Sequence, residues 1–247
     1  MRSAIRNHPV ASYFLLAFAV SWGGILLVIR GGAIPAPAEE AHRLFVVVYL
    51  AMLAGPSIAG IAMTAIRAGV AGLRRGVIDP AGPIQADNVK TLLLLAFSVG
   101  LGAGVFEELG WTGFAIPTLL RRLGGVATGL VVGVLWGAWH FLAVWWGSAS
   151  SFGSVPVPLF LLVALFTFLP PYRLLMVRVY ERTGSLLIAI LMHASLTASM
   201  IILGPAVTGA GSVIYNLAFA TTLWLIVSVL LGADHMLSAR RLTPHQP

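Results

Sequence analysis

The chain has 247 residues, 59% of them hydrophobic and only 9% charged, a profile that excludes an ordinary soluble domain. Its formal net charge of +7 comes from lysines and arginines gathered between apolar runs, where they orient membrane helices, so no nucleic-acid partner is expected. Cysteine is absent, which excludes disulfides, thiolate zinc sites and a cysteine nucleophile.

Apolar runs near the length that an α-helix needs to cross about 30 Å of hydrocarbon recur along the chain. They predict helices over residues 10–29, 44–66, 91 to about 106, about 107 to 120, 126–146, 158–177, 185–203 and 213–231. The expected architecture is therefore all-α, a polytopic membrane helix bundle of about eight transmembrane helices. Residues 1–247 form a single integral membrane domain with a motif-bearing core at about 91–204. The first run follows Arg2 and Arg6 in the manner of a signal peptide, but it exceeds a usual signal core and everything after it is also apolar, so a retained helix is expected. Between the second and third runs, AGLRRGVIDPAGP combines helix breakers with basic residues and reads as a loop on anionic lipid.

The third and fourth runs are each short for a full span, and charge decides how they are counted. With the N-terminus cytoplasmic and both runs counted, thirteen of the fifteen basic residues fall inside: Arg2, Arg6, Arg67, Arg74, Arg75, Lys90, Arg121, Arg122, Arg173, Arg178, Arg182, Arg240 and Arg241. Only Arg30 and Arg43 fall outside. Merging the two runs leaves nine outside and six inside. Eight crossings of a cell membrane with both termini cytoplasmic is the expected topology, with a helix break at Glu107 and Glu108.

Four ionisable residues remain at membrane depth once loops and ends are set aside: Glu107, Glu108, His140 and His193. Each such group costs roughly 2.5–3.5 kcal/mol at a helix centre, so a cluster of them marks a function. On this count no intramembrane Lys or Arg accompanies them. Glu107 falls on the helix face of Gly100 and Gly104, and His140 on the face of Gly129, Gly133 and Gly137; both point into the bundle. His193 shares its face with Ala189, Thr197 and Met200.

Two carboxylates and two imidazoles in a dry cavity support two chemistries. A carboxylate can act as general base on water while a histidine stabilises the oxyanion. Alternatively Glu107, His140 and His193 can hold a catalytic zinc, with the other glutamate as base, although no H-E-x-x-H helix is present. A proton-coupled carrier is a third use of the same groups, without the paired broken helices that carriers show.

At these residues the chain resembles the CPBP family, the CAAX-processing type II prenyl endopeptidases and their relatives, including bacteriocin self-immunity proteins. The family's E-E-x-x-x-R motif is matched by Glu107 and Glu108 in EELGWTGF, its aromatic-x-x-x-His motif by Trp136 and His140 in WGAWH, and the histidine of its H-x-x-x-N/D motif by His193 in HASLT. The resemblance covers about residues 92–199 and implies hydrolysis of a peptide bond in a membrane-associated or prenylated-type substrate. It implies that Glu107 activates water, that Glu108 and His140 assist, and that His193 holds the oxyanion. Two positions depart from the pattern. Thr197 stands where the family has asparagine or aspartate and can still donate to an oxyanion. Thr112 stands where the family has arginine, and the loss of that cation makes a catalytically silent immunity or interaction protein the alternative.

Overall fold

A computed structural model describes residues 7–68 and 89–242. Among them every regular element is helical: α1 (Pro9–Ile29), α2 (Ala38–Ala68), α3 (Val89–Gly110), a π-helical turn (Trp111–Ala115), α4 (Ile116–Trp146), α5 (Val157–Phe166), α6 (Leu169–Thr183), α7 (Leu186–Leu203) and α8 (Ala210–Leu242). The basic loop expected after α2 lies outside the described residues from position 69 onward.

Local chemistry sets many of the boundaries. Pro9 opens α1, where its missing N–H is not needed. Gly184 ends α6 in the left-handed region at φ 61°, and Ser185 then caps α7 by accepting a hydrogen bond from the Ile188 N–H. The span expected over 158–177 is two helices, because Pro170 and Pro171 lack the N–H groups that would continue α5 and instead start α6.

Six helical stretches are long and apolar enough to cross a membrane, so the chain is a multi-pass membrane protein. One of them, Leu92–Trp146, has 55 residues and contains Gly124, whose φ of 72° suits only glycine at low cost. The chain runs along α7 before Gly124, with Gly100 against Ala194 and Gly104 against Ile190, and back along α6 after it, with Gly125 against Glu181 and Gly129 against Leu174. Gly124 is therefore a reversal, and among the described residues the six stretches make seven passes, close to the expected number of about eight. The expected break at Glu107 is not there. Residues 89–123 run as one helical contour through the glutamates, and the irregularity falls a turn later, where the Ile116 N–H reaches back to the Trp111 carbonyl.

A merged third pass does not scatter the arginines, because α2 and α3 run in the same direction. Ser57 Oγ donates to the Phe106 carbonyl at 2.5 Å, and three residues further on Gly60 lies against Gly110. Lys90 is consequently at the opposite end of the bundle from Arg121 and Arg122, which corrects its expected grouping with them. At the arginine-rich end Arg178 and Arg182 both pair with Asp234, tying α6 to α8.

The core joins Tyr13 and Phe14 of α1, Met52 and Met63 of α2, Trp111 and Phe114 of the π turn, and Trp136, Trp139 and Trp146 of α4. Large apolar side chains such as Leu15, Phe97, Leu187 and Val229 face outward, as lipid contact requires. The α3–α7 seam depends on glycine. A Cβ on Gly104 would sit 2.6 Å from the Ile190 carbonyl oxygen, so Gly104→Val is expected to lower stability by about 1–3 kcal/mol. Thermal unfolding in detergent would measure it.

Candidate active site

Consecutive glutamates on α3 project in different directions, yet both reach one imidazole. His193 Nδ1 lies 2.7 Å from Glu108 Oε1, and its Nε2 lies 3.7 Å from Glu107 Oε1. The glycine seam permits this: with Gly100 and Gly104 against the α7 backbone, the side chains one turn later meet the α7 side chain at the same level.

The two carboxylates are equally buried, at 0% exposure, but differently partnered. Arg173 Nη1 donates to both oxygens of Glu108 at 2.9 Å, Thr112 Oγ1 donates to Oε2 at 2.5 Å, and His193 Nδ1 donates to Oε1. Glu108 thus has a cation and three donors, the condition under which a buried charge is tolerated. Glu107 has one donor. Trp136 Nε1 donates to its Oε2 at 2.6 Å, and its Oε1 receives no hydrogen bond among the described residues.

Trp136 is the hub. The Arg173 guanidinium lies over its ring at 4.1 Å from the centroid, and the rings of His193 and His140 meet it edge-on at 5.1 and 5.5 Å. Its carbonyl accepts a 2.9 Å hydrogen bond from His140 Nδ1. A carbonyl only accepts, so Nδ1 carries the proton, and Nε2 of the neutral ring is an acceptor. Trp139 packs edge-on against the other side of His140 at 4.6 Å. Thr197 follows one turn after His193 on α7, half-buried, with no hydrogen bond to its hydroxyl among the described residues.

All four membrane-depth residues therefore belong to one neighbourhood. Arg173 corrects the expectation that no intramembrane cation accompanies them and that this arginine counts with the cytoplasmic side: it is fully buried on the second turn of α6. The preceding residue places it, because Tyr172 Oη donates to the Met192 carbonyl at 2.6 Å, next to His193. The sequence carried a signal for it, since Arg173 is the only charged residue in 158–177.

The zinc alternative meets a poor donor set. Among the described residues no three His, Asp or Glu side chains are grouped to hold a metal ion. Glu108 engages His193 Nδ1, which leaves Nε2 as the free nitrogen of that ring.

A buried glutamate pair, His193 and Arg173, with the half-buried His140 beside them, form a polar cluster among apolar membrane helices. Residues 89–199 match the family described as type II CAAX prenyl endopeptidase Rce1-like. The chain is also similar to CAAX prenyl protease 2 of Methanococcus maripaludis, with 39% identity over 57 residues, 23% of this chain. That match spans 19% of the relative's length. With the motifs in order, the core over residues 89–199 is similar to the Rce1-like endopeptidases, and the chain resembles the CPBP family of proteases.

Proposed function

We propose that the protein is an intramembrane endopeptidase of the CAAX-processing type, working by glutamate-activated water. The observation that carries this reading is the asymmetry of the carboxylates: Glu108 is saturated, whereas Glu107 keeps a buried oxygen free to accept.

In the proposed reaction a water donates to Glu107 Oε1 and to the acceptor Nε2 of His140. Glu107 takes one proton as the water oxygen bonds to the peptide carbonyl carbon, and the carbonyl becomes an oxyanion. His193, its Nδ1 donating to Glu108, carries its second proton on Nε2 and donates from there to the oxyanion, with the Thr197 hydroxyl as second donor. The C–N bond then breaks as protonated Glu107 returns its proton to the leaving amine. Trp136 Nε1 holds Glu107 throughout.

The substrate proposed is a peptide at the membrane, of the kind carrying a prenylated C-terminal segment, and the setting a cell membrane with both termini cytoplasmic. The silent-protein alternative rested on a missing cation, and Arg173 brings one to Glu108. The test is release of a C-terminal peptide from a fluorogenic prenylated peptide by purified protein in detergent or liposomes. Cleavage that persists in chelator is expected. Cleavage abolished by chelator and restored by zinc would replace the water-activation scheme with a metal one, and no cleavage of prenylated or unprenylated peptide would favour the silent alternative.

A further inference from the structure

The position four residues after Glu108 lies one turn along the helix, where a long cationic side chain would reach the Glu108 carboxylate directly. Here that position is Thr112, whose short hydroxyl touches Oε2 and leaves the other side of the carboxylate open. Arg173 arrives there from α6, with both Glu108 oxygens on its Nη1, its guanidinium on the Trp136 face and no exposed surface. Side chains 65 residues apart in sequence thereby give one carboxylate the neutralisation and orientation that one helix could supply from within a single turn.

We propose that Arg173 is the positioning cation of the reaction centre, taking over in space the role that the arginine of E-E-x-x-x-R would hold at position 112. It touches neither water nor substrate. It fixes Glu108, Glu108 fixes the orientation of the His193 ring through Nδ1, and His193 presents Nε2 beside Glu107. Thr112 is the complementary half of the arrangement. An arginine at 112 would bring a second guanidinium to a carboxylate that already has one, so the small hydroxyl and the α6 arginine belong together.

Three further features support this assignment over a purely structural ion pair. Removing either member of a buried pair leaves the other uncompensated, so burial alone explains why Arg173 needs Glu108 but not why the pair lies here. The position is explained by His193, whose other nitrogen faces the one unsaturated carboxylate. Tyr172 clamps the start of α6 to α7 at Met192, which fixes Arg173 relative to His193 and not merely relative to α3. Among the described residues the guanidinium Nε and Nη2 have no hydrogen-bond partner, so its head group is held by Glu108 and the Trp136 face.

The inference rests on the endopeptidase reading for its kinetic arm, and relocation of the arginine tests it. Arg173→Met is expected to lower kcat on the order of 10²-fold with little change in KM, the size of losing one fixed electrostatic contact. Thr112→Arg combined with Arg173→Met is expected to recover kcat to within about tenfold of wild type, whereas Thr112→Arg alone is expected to lower it. Should Arg173→Met fail to fold, the double variant still decides: a folded, active double variant upholds the proposal, and an unfolded or inactive one overturns it. If wild type cleaves no peptide, the endopeptidase reading fails by itself. The cation's placement is then read from thermal unfolding, where the double variant must regain the wild-type midpoint lost in Arg173→Met; an unrestored midpoint overturns the proposal.

Discussion

Glu107→Gln is expected to remove peptide cleavage almost entirely, lowering kcat by about 10²–10⁴-fold, the usual worth of a positioned general base. The substitution is nearly isosteric and keeps an oxygen that can accept from Trp136 Nε1, so the fold and KM are expected to stand. What is lost is the acceptor that takes the water's proton. Steady-state cleavage of the fluorogenic peptide, with the unfolding midpoint measured on the same preparation, separates lost chemistry from lost protein. Equal kcat in Glu107→Gln and wild type would sink the proposed role. Trp136→Phe provides a graded comparison: it retains a ring beneath Arg173 but removes the one hydrogen bond that holds Glu107.

Glu108→Leu is expected to have the largest effect on stability, about 3–5 kcal/mol, because it leaves Arg173 buried beside an apolar side chain with no anion. Thr112 Oγ1 and His193 Nδ1 lose their acceptor in the same step. The informative companion is Glu108→Leu with Arg173→Met. Removing both charges replaces the pair by apolar groups, and stability is expected to return toward wild type while cleavage does not. Unfolding in detergent gives the first quantity and peptide release the second. A double variant that recovered full activity would show that the pair has no part in positioning His193.

The residues that the membrane would not hold without cause, Glu107, Glu108, His140 and His193, were legible because each is a rare polar group in an apolar run, and their helix faces followed from the glycines beside them. Family motifs added order but also a false emphasis. They directed attention to position 112, where a cation was missing, and away from Arg173, which stood alone in the candidate span 158–177 and was counted with the cytoplasmic arginines. A charge tally by sequence position cannot distinguish an arginine near a loop from one turned inward by Pro170, Pro171 and the Tyr172 clamp, since that distinction is tertiary.

The helix break expected at the glutamates was misplaced for a related reason. Periodicity showed two short apolar runs on either side of the glutamates, but nothing local says that a helix continues through two adjacent charges when their partners come from α4, α6 and α7. Nor does sequence reveal that α2 and α3 run in the same direction. That relation depends on Ser57 meeting Phe106 and Gly60 meeting Gly110, contacts between helices that a single-chain pattern does not encode.

The uninterrupted run over 89–123 has a consequence for how the protein sits in lipid. At 1.5 Å per residue its contour is about 50 Å, well beyond the roughly 30 Å thickness of a hydrocarbon layer. Such a rod tilts or lets its ends emerge, and its anchors are Lys90 at one end and Arg121 and Arg122 at the other. Glu107 and Glu108 lie about halfway between those anchors. Bilayers of different thickness therefore change the tilt and the exposed ends, while the glutamate pair keeps its place about midway between the two anchors.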